Sequence, residues 1–164
     1  GAMERLWAPW RGAYIERGAP DGCIFCDKPR AGDDRANHIL SRSEACFSML
    51  NRYPYNGGHL MVAPFRHVAG LDGLSPAELQ GIMLLVRDSV ELLRRVLSPA
   101  GFNVGINLGG EAGAGVAGHL HVHVVPRWKG DTNFMAVTGG TKVISQALDE
   151  IYARLLAGGA PAAT

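Results

Sequence analysis

Alternating and clustered apolar residues predict five short strands along this 164-residue chain. The runs typical of strands lie at residues 38–42, 46–50, 59–64, 102–107 and 119–125. Residues 51–58, NRYPYNGG, separate the second run from the third and have the proline, asparagines and glycines of a hairpin turn. The pattern favours a mainly antiparallel sheet, because strands joined by a hairpin run in opposite directions.

The longest periodic segment predicts a helix that begins after Ser75. Ser75 is a favourable N-cap, Pro76 suits the first helical position, and Glu78 closes a capping box. The apolar residues that recur every three or four positions form one stripe: Leu79, Ile82, Met83, Val86, Val90, Leu93 and Leu97. Pro99 and Gly101 end the helix, and its apolar stripe must face the sheet.

Residues 141–156 carry apolar residues at helical spacing and predict a C-terminal helix. The order of elements predicts the α+β class, with a mainly antiparallel five-stranded sheet packed with one long helix and the C-terminal helix. We expect an N-terminal arm over residues 1–22, one domain over residues 23–157 and a flexible tail over residues 158–164. The two residues before the first methionine are interpreted as a cloning remnant.

Charge and hydropathy exclude several kinds of partner. The formal net charge is +1, so no overall attraction favours nucleic acid or an anionic membrane surface, and we expect neither as a partner. No apolar stretch is long enough to span a bilayer, and the N-terminus lacks the basic and apolar segments of a secretory signal. We therefore expect a cytoplasmic, reducing environment, where a Cys-x-x-Cys pair favours a metal or redox role over a disulfide.

Three of the six histidines, His119, His121 and His123, alternate with apolar residues near the end of the chain. Alternate side chains of a strand point to opposite faces, so these imidazoles share one face at spacings of about 6.5–7 Å. The intervening apolar residues are expected to pack on the helix stripe. Because three buried rings would lack hydrogen-bond partners, we expect the imidazole face to look into a cleft or solvent.

The residues alone leave three interpretations of this histidine row. It is an exposed polar strand, a metal site, or a nucleophile beside a partner ring. A neutral imidazole attacks phosphorus when an acceptor holds its other nitrogen, and a neighbouring protonated ring would balance phosphate charge. The glycines of residues 108–118 would let backbone N–H groups approach an anion, although simple flexibility explains such a loop equally well.

The row resembles the signature of the histidine triad family of nucleotide hydrolases and transferases. The resemblance extends from Cys23 to Gly130 and includes a Cys-x-x-Cys start, the segment MLNRYPYNGGHLMVAPFRH, the long helix and the loop NLGGEAGAG. It implies that His121 is the nucleophile that takes a nucleoside monophosphate, and that His123 is its partner on the phosphate oxygens. It also implies a homodimer that binds small-molecule adenine nucleotides.

The same resemblance implies a nucleotide pocket around the row. The residues that it implies for nucleotide or phosphate binding are Asn51, Asn107, Gly113, Gly115 and Trp128. Asn51 matches the hairpin residue that holds the ribose hydroxyls, and Asn107 matches the amide residue that begins the phosphate loop. Trp128 fits either the pocket wall or the core, and His59 fits either the pocket or a structural hydrogen bond.

Cys23 and Cys26 have the spacing of a metal-binding pair or of a thioredoxin-like redox motif. A redox motif would open a helix. Here KPR and a polar loop follow the pair, so we expect no helix at this point, and the redox interpretation is disfavoured. Resemblance to zinc-binding members of the family implies a structural Zn²⁺ whose remaining ligands are His67 and His119. The alternative is a pair of ordinary reduced cysteines.

Within the family, the chain resembles the branch that acts on dinucleoside polyphosphates. The segments that carry this resemblance are LWAPWR, CIFC, YPYNGGHLMV and VVPRWKGD. They imply nucleotidyl transfer on substrates of the diadenosine tetraphosphate class through a nucleotidyl-histidine intermediate, released by phosphate or by water.

The loop AGAGVAG lacks the glutamine of the hydrolases, which favours inorganic phosphate as the acceptor. It also lacks the serine of the phosphorylases, so the acceptor stays open. Two alternative functions remain, a purine nucleoside phosphoramidase and a non-catalytic, zinc-stapled nucleotide-binding module.

Overall fold

One antiparallel sheet of five strands forms the centre of the computed structural model, which describes residues 22–132, 144 and 146–159. The strands are β1 (Ile39–Arg42), β2 (Cys46–Leu50), β3 (Leu60–Pro64), β4 (Gly101–Ile106) and β5 (Val122–Arg127). Their order across the sheet is β1-β2-β3-β5-β4, and all neighbouring pairs are antiparallel. The predicted α+β class and five-stranded sheet are confirmed.

Three helices accompany the sheet: α1 (Ile24–Arg30), α2 (Pro76–Leu97) and α3 (Leu148–Ala157). The capping box predicted for α2 is present, since Ser75 Oγ accepts from the Glu78 N–H at 3.2 Å and Glu78 Oε2 accepts from the Ser75 N–H at 2.8 Å. Residues 141–143 and 145, in the predicted start of the C-terminal helix, lie outside the described residues.

The main core lies between the sheet and the helices α2 and α3. Leu120, Val122 and Val124 belong to it, so the apolar side of the histidine row packs on the helix stripe as predicted. Leu93 of α2 and Leu155 of α3 are fully buried there. Burying one such leucine is worth about 1.5–3 kcal/mol, so this layer supplies much of the stability that holds the row in place.

A second, smaller core lies apart from the first, and its buried members are Phe25, Ile39, Phe47, Met49, Met61 and Ala63. The helix α1 contributes Phe25 to it. The expectation of no helix after the cysteine pair is wrong. The Cys23 carbonyl accepts from the N–H groups of Cys26 and Asp27, and the helix ends one residue after Pro29, which has no N–H to donate within it.

The hairpin between β2 and β3 closes against α2. Gly58 has φ +80°, and a Cβ at this position would lie 2.6 Å from Leu97 Cδ1. The positive φ favours glycine, and the absence of a side chain lets the end of the hairpin pack closely on the long helix. Among the residues whose structure is described, no helix combines the length and the apolar composition needed to cross a membrane.

Candidate functional site

The three histidines of the row lie side by side on the face of the sheet that α1 covers. The ring centroids of His121 and His123 are 4.8 Å apart, and Phe25 packs on His121 at 4.6 Å and on His119 at 5.3 Å. The row is less regular than predicted, because β5 begins only at Val122. His119 and His121 therefore lie in the segment that leads into the strand.

The expectation that the imidazole face opens to a cleft or solvent is wrong for two of the three rings. His119 is 0% exposed and His121 is 5% exposed, while His123 is half-buried. Burial is possible because both rings have partners. His119 Nε2 donates to the Pro64 carbonyl at 2.9 Å, and His121 Nδ1 donates to the His119 carbonyl at 2.8 Å.

Four side chains converge at one end of the row: Cys23, Cys26, His67 and His119. Their ligand atoms all lie within 4.8 Å of one another. His119 Nδ1 lies 3.3 Å from Cys23 Sγ, 3.5 Å from Cys26 Sγ and 3.2 Å from His67 Nδ1, and the last of these is 3.3 Å from Cys26 Sγ. We call these four residues the metal end.

The metal end fits a tetrahedral zinc ion. Zinc bonds of about 2.0–2.3 Å to nitrogen and sulfur give separations of about 3.3–3.8 Å between ligand atoms, close to the four distances given above. The backbone bond from His119 Nε2 also leaves the Nδ1 lone pair of the neutral ring directed at the other three donors. A single Nδ1 cannot satisfy three hydrogen bonds, whereas one ion would satisfy all four side chains.

His121 is held through Nδ1, whereas His119 is held through Nε2. Because Nδ1 donates to the His119 carbonyl, a neutral ring keeps its lone pair on Nε2. Burial lowers the pKa of His121, and the backbone hydrogen bond offsets part of that change. A neutral imidazole with one nitrogen held by an acceptor is the form that attacks phosphorus.

His59 is a site residue whose role the sequence left open. It is 1% exposed, its Nδ1 accepts from the Tyr55 N–H at 3.0 Å, and its Nε2 lies 2.9 Å from His123 Nδ1. Burial, and then the nearby charges of His123 and His121, lower its pKa to about 3, so the ring is neutral.

The hydrogen bonds of His59 fix the proton positions of the next ring. An acceptor at Nδ1 places the His59 proton on Nε2, which donates to His123 Nδ1. A neutral His123 therefore carries its own proton on Nε2. We call His59, His121 and His123 the reacting end of the row.

The two predicted amide residues border the reacting end. Asn51 Oδ1 accepts from the Tyr53 N–H at 2.9 Å, and Asn51 Nδ2 lies 3.5 Å from His59 Nδ1. Asn107 follows β4, where Ile106 pairs with Val122, so continuing the register by one residue places it opposite His121. Its Nδ2 donates to the Gly113 carbonyl at 3.4 Å.

The glycine loop leads from Asn107 back to the row. Gly113 has φ +86°, a left-handed conformation that favours glycine, and Gly115 is exposed. The loop ends beside the metal end, where a Cβ on Gly118 would lie 3.5 Å from His67 Nε2. The loop thus spans the side of the row between its two ends.

Trp128 lies beyond the end of β5 and is not brought together with the histidines. It is half-buried and lines a separate groove with Asn56 and Leu97. Asp131 Oδ2 holds this turn by accepting from the Trp128 N–H at 3.1 Å and from Asn56 Nδ2 at 2.7 Å.

The fold and the site together define an α+β protein that presents paired imidazoles beside a glycine loop and a Cys₂His₂ cluster. The family model of the HIT domain matches residues 34–130, and the chain belongs to this family. The predicted family is confirmed.

Two curated relatives carry names of enzymes. The chain is 41% identical to the AP-4-A phosphorylase of Mycobacterium tuberculosis over an alignment that covers 94% of this chain and 83% of the relative. It is 35% identical to the asymmetrical bis(5'-nucleosyl)-tetraphosphatase of Schizosaccharomyces pombe, with 58% of this chain and 52% of the relative covered.

A solved structure is also similar. The zinc-bound histidine triad family protein of Mycobacterium smegmatis matches with a TM-score of 0.68 and 25% identity, and the match covers 84% of this chain and 92% of that protein. The similarity supports the observed fold, which was predicted from the strand and helix pattern.

Proposed function

We propose that the chain transfers a nucleoside monophosphate from a dinucleoside polyphosphate of the diadenosine tetraphosphate class, through a covalent adduct on His121. The observation that carries the proposal is the hydrogen bond from His121 Nδ1 to the His119 carbonyl, which leaves Nε2 as the nucleophilic nitrogen. The names of the two curated relatives support this class of substrate.

The first step forms one bond and breaks one. The Nε2 lone pair of His121 attacks the phosphorus of the bound nucleotide, and the bond to the bridging oxygen breaks. The leaving polyphosphate departs as an anion and needs no proton, while the His121 ring becomes a cation whose Nδ1–H stays on the His119 carbonyl. The Nε2–H of His123 donates to a phosphate oxygen and stabilises the developing charge.

The second step returns the ring to its neutral form. An acceptor oxygen attacks the same phosphorus, and the phosphorus–nitrogen bond breaks. Inorganic phosphate brings an anionic oxygen and needs no base, whereas water must lose a proton during its attack. The glycine loop, which has no glutamine to direct a water molecule, therefore favours phosphate as the acceptor.

The pocket assignments are part of the proposal. Asn51 holds the ribose hydroxyls beside His59, while Asn107 and the glycines Gly113 and Gly115 approach the phosphates. Their positions on either side of the reacting end support these roles. Trp128 is kept in the proposal on the family resemblance alone, since in the structure it lines a different groove.

A product analysis tests the proposal. The protein is incubated with diadenosine tetraphosphate, with and without ³²P-labelled phosphate, and the nucleotides are separated by chromatography. We expect ATP and labelled ADP, which requires phosphate as the acceptor. ATP with AMP would instead identify water as the acceptor. A parallel incubation uses adenosine 5'-phosphoramidate. Cleavage of this substrate without cleavage of diadenosine tetraphosphate would identify the phosphoramidase, and no product from either substrate would identify a binding module.

The proposal includes a structural zinc ion at the metal end. Cys23, Cys26, His67 and His119 would hold it, and the bound ion would supply a rigid link between α1 and the histidine row rather than a reacting group. Thiolate ligands require reduced cysteines, which is consistent with the expected cytoplasmic environment. Metal analysis of protein purified without chelator checks this part of the proposal.

A homodimer completes the proposal. The strand β4 lies at one edge of the sheet, and Val104 within it and Leu108 just after it are each 47% exposed. An edge strand with exposed apolar residues is a surface that a second chain covers readily. Light scattering coupled to size-exclusion chromatography measures the number of chains.

A further inference from the structure

We propose that Phe25 is a positioning residue, and that the metal ion acts on the reaction by holding the Phe25 ring flat against His121. This inference deepens the proposed function, because it rests on the assignment of His121 as the nucleophile and of the metal end as a zinc site. It gives the ion an effect on the reacting ring without placing the ion in contact with substrate.

The position of Phe25 in the sequence is the first support. It lies between Cys23 and Cys26, so it directly precedes one candidate metal ligand and follows the other by two residues. Its ring is 1% exposed, with its centroid 4.6 Å from that of His121 and an interplanar angle of 28°. The same ring contacts His119, a further ligand, at 5.3 Å.

The construction of α1 is the second support. The helix has seven residues and contains Pro29, and isolated helices of this length are unstable in water. Its far end is tied to the sheet by Arg42, whose Nη2 donates to the Pro29 carbonyl at 2.8 Å. Its near end begins at Cys23, so an ion bound to both cysteines fixes the turn that carries Phe25.

The chemistry of an imidazole nucleophile explains why this contact matters. The hydrogen bond from His121 Nδ1 restrains one atom of the ring, but small changes in the side-chain torsions would still tilt the ring plane. The Nε2 lone pair lies in the ring plane, so tilting the plane turns the lone pair away from phosphorus. A flat contact with Phe25 restricts the tilt, and small misplacements of a reacting group lower rates by up to about 100-fold.

A matched pair of variants separates this role from general packing. Phe25→Leu removes the aromatic ring and keeps an apolar side chain. Phe47→Leu makes the same change at a residue that is equally buried in the second core but stacks on Phe65 instead of a histidine. Each variant is studied with zinc bound and after dialysis against a chelator, and far-UV circular dichroism confirms folding.

The first readout is a spectroscopic one that needs no turnover. NMR of ¹³C-labelled histidine records the ring protons of His121, which the stacked Phe25 ring shifts upfield. We expect the upfield shift in the zinc-bound wild type and in Phe47→Leu, and its loss after chelation or in zinc-bound Phe25→Leu. An unchanged His121 signal after chelation, or in Phe25→Leu, would overturn the proposal even if the chain turned over no dinucleoside polyphosphate.

The second readout is the coupling between the removal of zinc and the Phe25→Leu substitution in their effects on kcat. We expect chelation to lower kcat about tenfold in the wild type and in Phe47→Leu, with KM within about twofold. Zinc-bound Phe25→Leu should already show the tenfold loss, and chelation should lower its kcat by less than about twofold further, because linked changes are not additive. Losses that multiply to about 100-fold would show that the ion and Phe25 act independently, which contradicts the proposal.

Discussion

His119 and His121 are the same residue type, two positions apart, on the same face of one segment, yet they belong to different sites. His119 donates through Nε2 to the Pro64 carbonyl, and its Nδ1 faces two cysteines and His67. His121 donates through Nδ1 to the His119 carbonyl, and its Nε2 stays available. One backbone carbonyl for each ring therefore decides which nitrogen keeps the lone pair.

The comparison extends to the surroundings of the two ends. At the metal end, four donors converge on a single point, so the side chains fit one shared ion. At the reacting end, hydrogen bonds run in one direction, from the Tyr55 N–H to His59 and from His59 to His123. The first arrangement fits an ion and the second fixes proton positions, although each contains at least two imidazoles.

The largest expected effect comes from removing His121, the proposed nucleophile. We expect His121→Ala to lower kcat by about 10⁴-fold or more, because loss of a covalent nucleophile removes the whole reaction path. Zinc content should stay at the wild-type level, since His121 is not among the four donors. Nucleotide titration by calorimetry should still detect binding.

His38→Ala is the matched control for that variant. His38 contacts Asp149 of α3 at 2.7 Å and lies outside both ends of the row, so its removal should leave kcat within a few-fold of wild type. Turnover retained by His121→Ala, or zinc lost from it, would contradict the division of the row into two ends.

The next effect is one of stability and tests the metal end. Cys26→Ser removes one of the proposed zinc ligands, and we expect the bound zinc to fall below stoichiometry after gel filtration. An ion present at 100 times its dissociation constant contributes about 2.7 kcal/mol to folding, which corresponds to about 5–10 °C in Tm for a chain of this size.

Cys46→Ser supplies the control for Cys26→Ser. Cys46 is buried in β2 and lies outside the four-residue cluster, so its variant should retain zinc even where it loses some packing. Metal analysis measures the zinc content of both variants, and differential scanning calorimetry measures their Tm. Full zinc retention by Cys26→Ser would remove the assignment of this cysteine as a ligand.

Much of the fold follows from local sequence signals. The capping box at Ser75 and the residues after Leu97 set the bounds of α2, and the alternating pattern places Val122 and Val124 in the main core. The helix α1 was not predictable in this way. Its one buried side chain, Phe25, leaves too short a pattern to detect, and the helix depends on contacts from distant parts of the chain.

The candidate site, like the fold, was predictable only in part from local sequence signals. Spacing alone brought His119, His121 and His123 onto one face, but no local signal reports which ring nitrogen meets a carbonyl. The partner of His123 is His59, which is 64 residues away, and the register of β3 against β5 brings them together. Only the pairing of the strands shows that His59 belongs to the reacting end. The burial of the rings also depends on a residue that is distant in the sequence, Phe25.

Near neutral pH, the smallest expected effect is a pH dependence of stability that originates at the reacting end. His59 has a folded pKa of about 3, whereas an unfolded histidine titrates near 6.5, so between these values the unfolded chain binds a proton that the folded chain excludes. Stability must therefore fall as the pH falls through this interval, by up to about 1.4 kcal/mol per pH unit from this one side chain. Urea unfolding of wild type and His59→Gln at matched zinc content, from pH 7 to pH 4, measures the slope. We expect a flatter slope in His59→Gln, because the residue that excludes the proton is gone, and parallel slopes would show that His59 is not held neutral by its surroundings.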